Sequence, residues 1–377
     1  MLSFRWTGTL LAYLLSISNP SEQTPSETCF SSAGTLGSLV ECLEKYTVPE
    51  KYYDQASYRK AQPTGPQREA WFTAVTSLLS TDNNCSSAIV PSALQDVYGA
   101  ASFADTDGQS FCVLYEQTVS PSSGLFEKGW GFMVVPSSRN GVSRLLHLSA
   151  PHPFYEIGTT AQATDLFKET GAKSLLIPGR MLPAYNIPST CITSPSKTVY
   201  YMTDPVHNDL EPFFDANRAI WEWQTQNGGC PSSSCAFIQF HGKATTTCAQ
   251  DDIFLSTGLA NGTWYTDGVD RPIKRLKKQL NIAFNSGTNT SMPLTISLPS
   301  DSRCTLTATK NIVGRYLNNY PITFSHDVCT QSSDPGSTNG VFIDVEQAAV
   351  VRGTSAREAW VQALKATFIE MHMNTEM

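Results

Sequence analysis

The apolar positions of this chain alternate between short continuous runs and stretches with a helical period. Three runs matter most, because each ends in a polar group with chemistry. Leu145-Leu146-His147-Leu148-Ser149-Ala150-Pro151 reads as a strand and opens into His152-Pro153-Phe154-Tyr155-Glu156-Ile157-Gly158-Thr159. Ala236-Phe237-Ile238-Gln239-Phe240 opens directly into His241-Gly242, and Val341-Phe342-Ile343-Asp344-Val345 delivers Glu346. Helical patterns fall between such runs: 160–170, stopped by Gly171; 210–226, with Phe213, Phe214, Ile220 and Trp221 on one face and Gly228-Gly229 after it; 272–284; and 355–370. Further strands are predicted over 173–178, 198–202, 253–256 and 294–298. Strand–helix alternation of this kind predicts a mostly parallel sheet with helices on both faces. In such sheets ligands sit outside the carboxyl ends of the strands, where all three candidate groups lie.

Before residue 145 the pattern differs. Helices are predicted over 36–46, 67–79 and 93–98, with Pro63-Thr64-Gly65-Pro66 separating the first two. Strand-like runs at 110–116 and 129–135, joined through Ser120-Pro121-Ser122-Ser123-Gly124, suit an antiparallel hairpin. The expected organisation is a signal peptide over 1–23, a mainly helical segment over 24–107, and an α/β catalytic domain over 108–377 on which that segment packs. The leader is inferred from Arg5, the short apolar core from Thr9 to Ser18, and the Pro/Ser/Thr/Glu-rich stretch behind it. That core is too short to span a bilayer, and no later run is long enough, so a secreted, extracellular chain is expected.

Cysteine usage agrees. The ten cysteines are even in number and not spaced as paired metal knuckles, so up to five disulfides are expected; Cys29–Cys42, Cys85–Cys112 and Cys304–Cys329 are the plausible local pairs. Asn84, Asn261 and Asn289 head N-glycosylation sequons. Charged residues make up 16 % of the chain and the net charge is −7, which argues against nucleic acid as a partner. The most basic stretch, residues 271–278, reads as the solvated face of a helix.

Two imidazoles and a carboxylate at strand ends are the inventory of a catalytic zinc site with one position open. His152, Glu156 and His241 are the candidate ligands for a single Zn2+, and Glu346 the candidate general base. The bland alternatives are a loop hydrogen bond for His152 with Glu156 in solvent, a buried His241 satisfied by a carbonyl, and a salt bridge from Glu346 to Arg352. Arg180, after the 173–178 strand, suits a substrate carboxylate or else a surface ion pair. Asp204 and His207 follow another strand and would orient substrate or stabilise an oxyanion, or else Asp204 caps the helix beyond. Arg352 and Gln239 are weaker candidates; His147 and His372 are read as non-functional. No GxSxG, HExxH, GxxxxGK[ST] or GxGxxG motif is present, so serine-hydrolase and nucleotide-binding chemistry have no announced site.

The sequence Pro151-His152, then Glu156-x-Gly158-Thr159, Arg180, His241-Gly242 and strand-borne Glu346 resembles the zinc carboxypeptidase-like amidohydrolases, and within them the N-formylglutamate amidohydrolases and poly-γ-glutamate hydrolases. The likeness covers roughly residues 108–370. Its histidine stands one residue nearer the glutamate than in the poly-γ-glutamate hydrolase pattern, and one farther than in the carboxypeptidases. The resemblance implies a phosphorylase/hydrolase-like three-layer α/β/α sandwich, zinc on His152, Glu156 and His241, Glu346 as acid/base, and Arg180 with Arg352 clamping a carboxylate. The expected function is zinc-dependent cleavage of an amide (peptide, N-acyl amino acid or γ-glutamyl) near a carboxylate in a small-molecule or peptide substrate. The rivals are a secreted binding protein with a degenerate site and an esterase with an unrecognised serine.

Overall fold

A computed structural model describes residues 25–193, 199–285, 293–320 and 327–371. The proposed leader, Asn289 and His372 lie outside them.

Nine strands form one mixed sheet: β1 Tyr98–Ala104, β2 Ser110–Glu116, β3 Phe132–Pro136, β4 Arg144–Ser149, β5 Ala172–Ile177, β6 Cys235–Gly242, β7 Ile253–Ser256, β8 Ile296–Ser297 and β9 Phe342–Gln347, in the order β1-β2-β3-β5-β4-β6-β9-β7-β8. The central block β5-β4-β6-β9 is parallel throughout. The hairpin strands β1, β2 and β3 extend it antiparallel on one side. On the other side β7 runs antiparallel to β9, and β8 parallel to β7.

Ten helices accompany the sheet: α1 Pro25–Ser32, α2 Leu36–Glu44, α3 Gln55–Ala61, α4 Gly65–Leu79, α5 Thr159–Thr170, α6 Pro212–Gln226, α7 Gly262–Thr266, α8 Pro272–Asn285, α9 Ile312–Asn318 and α10 Arg357–Thr367. Side-chain alternation along the strands divides the interior into two layers. Phe111, Val113, Ile238, Phe240, Ile343 and Val345 face one layer, with Leu39 of α2, Leu166 of α5, Leu276 of α8 and Trp360 of α10. Cys112, Leu114, Phe237 and Phe342 face the other, with Trp71 and Val75 of α4, Ile220 of α6 and Val313 of α9. The architecture is therefore an α/β/α sandwich.

The early segment is less helical than its pattern suggested. Residues 93–98 form turns leading into β1, which pairs along its whole length with β2. The helices before it split between layers, α2 against α5 and α4 against α6. Threonine and aspartate caps start α2, α3 and α4, each with its side chain accepting from the backbone N–H three residues on.

Five disulfides close among Cys29–Cys42, Cys85–Cys112, Cys191–Cys329, Cys230–Cys235 and Cys248–Cys304. The expected Cys304–Cys329 pair does not form. The fold instead brings Cys191 to Cys329 across 138 residues and Cys248 to Cys304 across 56, with Cα atoms 4.7 and 5.2 Å apart. Among the described residues no helix is long and apolar enough to cross a membrane. Asn84 and Asn261 are exposed, each with its side chain capping the turn that comes after it.

Candidate metal centre

On the α4/α6 face, β6 and β9 change character as they approach their carboxyl ends. Phe237, Gln239 and His241 alternate along β6, opposite Phe342, Asp344 and Glu346 on β9, in direct register. The apolar residues fill the core, and the polar ones emerge where the sheet stops. A cleft of 620 Å³ opens there, lined by His152, Glu156, Asp204, His207, His241 and Glu346 among others.

The turn after β4 delivers two of these groups. The Glu156 N–H donates to His152 O at 3.0 Å, a single helical turn that sets the side chains of residues i and i+4 on one side. Phe154 takes φ +59° within this turn, and Gly158 takes φ +91° to start α5 without a side-chain cap. Glycine geometry thus stands at the N-cap in place of a threonine or aspartate side chain. Both Thr159 and Thr160 instead lie inside α5.

One carboxylate joins both imidazoles. Glu156 Oε1 lies 2.8 Å from His152 Nδ1, and Glu156 Oε2 lies 3.3 Å from His241 Nδ1. Oε2 also accepts from the Gly242 N–H at 3.0 Å. The far nitrogen of each ring meets its own aspartate: His152 Nε2 is 3.3 Å from Asp204 Oδ1, and His241 Nε2 is 3.5 Å from Asp344 Oδ1. The latter falls outside hydrogen-bond geometry, leaving His241 Nε2 buried and unsatisfied. The two rings stand edge to face with centroids 4.9 Å apart.

These charges set the protonation states. Burial alone would depress both imidazoles, but Glu156 and Asp204 hold His152 well above its ordinary value, and Glu156 with Asp344 hold His241 at about 9. Burial pushes Glu156 upward, and the two rings reverse this, bringing it to about 2. Burial raises Asp344, which His241 only partly offsets. Glu346 is raised by burial to about 8, against the pull of His241. It accepts no hydrogen bond and forms no ion pair among the described residues, and its side chain is part-exposed to the cleft.

The donor set fits a small divalent cation. One atom each from His152, Glu156 and His241 lie within 4.8 Å of one another. Donors 2.0–2.1 Å from a tetrahedral zinc are themselves about 3.4 Å apart, close to the observed separations. His152 has one ring nitrogen inward and the other hydrogen-bonded to a carboxylate, the way metal-bound imidazoles are oriented, and His241 has an aspartate beside its far nitrogen. Two other groupings, around Cys191 and Cys329 and around Cys248 and Cys304, have their thiols spent in disulfides.

The remaining candidates separate. Arg180 is 1 % exposed and holds Glu211 by two parallel bonds of 2.7 Å, among Tyr53 and Tyr58. It does not line the cleft, so its expected role as a carboxylate clamp is withdrawn: a buried guanidinium requires a resident counter-ion and has none to spare for substrate. Arg352 donates to Ile157 O at 2.9 Å and packs over Gly242, where a Cβ would meet its Nη1 at 2.0 Å. It too lies outside the cleft lining. A side chain at Gly242 would displace that guanidinium. The alternative Glu346–Arg352 salt bridge is absent among the described residues. Asp204 accepts from His207 Nδ1 at 2.9 Å, faces His152 Nε2 at 3.3 Å and lines the cleft. His207 stacks on Tyr200 at 3.7 Å and lines the cleft. Gln239 accepts from Asn311 at 2.7 Å. His147 is buried, hydrogen-bonded to Ser174 and Gln224. Asp344 was missed from the sequence, although its i, i+2 spacing from Glu346 on a strand places both on one face.

Among known proteins, no family model matches the chain, and no curated protein does. Solved structures similar to this chain include two from one bacterium. One is a candidate carboxypeptidase A from Shewanella denitrificans OS-217, with 12 % identity and TM-score 0.30 over 71 % of this chain and 64 % of that one. The other is a candidate metallopeptidase from the same organism, with 10 % identity and TM-score 0.24 over 80 % of this chain and 87 % of that one. This chain therefore spans less than two thirds of the first structure's length. Likeness at this level carries no functional argument, and the site rests on its own geometry.

Proposed function

We propose that this protein is a secreted zinc-dependent hydrolase that cleaves an amide bond. The single observation that supports this best is the sharing of Glu156 between two imidazoles whose far nitrogens each face a buried aspartate. His152, Glu156 and His241 would hold the ion. Zinc bound there would supply Lewis acidity, favouring hydroxide over water near neutral pH and polarising a carbonyl.

The residues of the chain do the rest. Glu346, part-exposed in the cleft and without an ion-pair partner among the described residues, takes the proton of the attacking water and returns it to the leaving nitrogen. With a divalent ion beside it Glu346 would be a carboxylate able to take that first proton, and its burial would favour holding the proton until the leaving nitrogen receives it. His207, its Nδ1–H held by Asp204, lines the cleft, and as an imidazolium its Nε2–H would donate to the developing oxyanion, a place Arg180 does not reach. Asp204 and Asp344 act through the ligand rings as positioning residues.

Glu346→Gln should lower turnover by about 10²–10⁴-fold, the usual worth of a positioned acid/base, while zinc content stays near one per chain. Activity within a few-fold of wild type would reject this assignment. A binding protein on the same fold would show no bound zinc when purified without chelators.

A further inference from the structure

Part of the cleft is lined by the segment 305–311, and it presents one cation. Among the cleft-lining residues Lys310 is the sole ammonium or guanidinium, while Glu156, Asp204, Asp344 and Glu346 all line the same space. Despite those four carboxylates, Lys310 has none within 4.0 Å among the described residues. Its Nζ instead sits 5.4 Å from the ring centroid of Tyr200, whose opposite contact is the stack on His207. The cation is therefore held in the cleft, half-buried, without being neutralised.

The wall is also built to keep it there. Cys304, just before the segment, is tied to Cys248. Asn311, at the segment's end, caps α9 and donates to Gln239 at 2.7 Å. Arg315, 7 % exposed, donates to Thr309 O at 2.9 Å. Ala308 takes φ +51°, a left-handed backbone that a residue with a Cβ adopts only where the surroundings fix it. A fixed loop presenting an ammonium without an ion-pair partner in the same cleft as the candidate catalytic groups is the layout of a recognition site for an anion.

We infer that Lys310 is the specificity-determining residue of the cleft: it receives a carboxylate of the substrate, placed away from the scissile amide. The inference rests on the hydrolase reading and deepens it. It moves recognition of charge from the two arginines, both engaged elsewhere, to a residue that lines the cleft itself. Tyr200 would contribute a flat apolar face beside that carboxylate.

The test uses the zinc-loaded full chain and a panel of N-acetyl amino acids spanning the side-chain classes, each paired with its carboxamide. Hydrolysis and calorimetric binding are both recorded, for wild type, Lys310→Met and Lys310→Arg. Wild type should favour acids over amides by about 10- to 100-fold in kcat/KM, carried mainly by KM, as expected for loss of one charge-assisted hydrogen bond. Lys310→Met should erase that ratio, and Lys310→Arg should retain most of it, with zinc content and thermal midpoint unchanged in both. An acid/amide ratio that survives Lys310→Met, or a wild type indifferent to the carboxylate in both assays, overturns the inference. If acids bind in a Lys310-dependent way yet none is cleaved, the hydrolase reading fails and the recognition site stands. If turnover occurs with no dependence on Lys310, the reverse holds.

Discussion

Zinc binding at pH 7 should expel about two to three protons per chain. In the metal-free protein His241 is held at about 9 and His152 well above its ordinary value, by the carboxylates on either side of each ring. At pH 7 the His241 ring is then about 99 % imidazolium, by the ordinary titration relation. Glu346, raised to about 8 by burial, is about 90 % protonated at the same pH. Coordination requires a lone pair on each ring, so both imidazole protons must leave. A divalent charge beside Glu346 stabilises its carboxylate and removes most of a third. Calorimetric titration of zinc into metal-free protein, repeated in buffers of different ionisation enthalpy, gives the proton count from the slope of observed heat against buffer heat. Glu346→Gln should lower that slope by about 0.9 and leave two protons from the rings. Release of less than one proton by wild type would mean that the rings are already neutral without metal. The description of the site as two imidazolium ions clasping one carboxylate would then be wrong.

The same charges make the stability of the metal-free chain depend on pH. A His241 raised to about 9 contributes stability that is complete below its unfolded value of about 6.5 and lost as pH rises through 9, on the order of 3 kcal/mol. Urea midpoints of metal-free protein should therefore fall between pH 7 and 9.5, and those of zinc-loaded protein should not. Glu156, lowered to about 2, acts in the opposite sense: its contribution is present above its ordinary 4.5 and lost as pH falls toward 2. Asp344→Asn keeps the shape beside His241 but removes the charge, and should weaken zinc affinity by about 10- to 100-fold in a competition titration with a chelating dye. Affinity unchanged within twofold would deny Asp344 its orienting role. Arg180→Ala strands the buried Glu211 and should cost about 3–5 kcal/mol in a denaturant melt, with zinc content unaltered in whatever fraction folds. A loss of metal without loss of stability would return Arg180 to the site.

The parts of the site that were legible in the sequence are those carried by strand ends. His241 and Glu346 close apolar runs, and His152 comes shortly after one. Parallel strands in a covered sheet place such ends together by topology alone. Asp344 was hidden because a single acid inside an apolar run looks like the strand itself until the register is known. Arg180 misled because a strand end is also where a buried ion pair can sit, and its partner Glu211 lies 31 residues on. Lys310 was invisible for a third reason: it lies in a segment with no periodicity, and its place in the cleft depends on where the Cys248–Cys304 disulfide and the start of α9 anchor that segment. The 93–98 stretch shows the same limit in the fold, since a short apolar pattern next to Tyr98 is settled only by the strand that pairs with it.

Local sequence thus determined which segments are strand and which helix over most of the chain, because side-chain period and turn residues act within a few positions. It also set the supply of imidazoles and carboxylates at the strand ends. Only the tertiary structure decided which charges face one another. Ion pairs, disulfides and the clasp on Glu156 depend on distances of a few ångströms between residues tens to hundreds of positions apart. Those distances are fixed by how the layers pack.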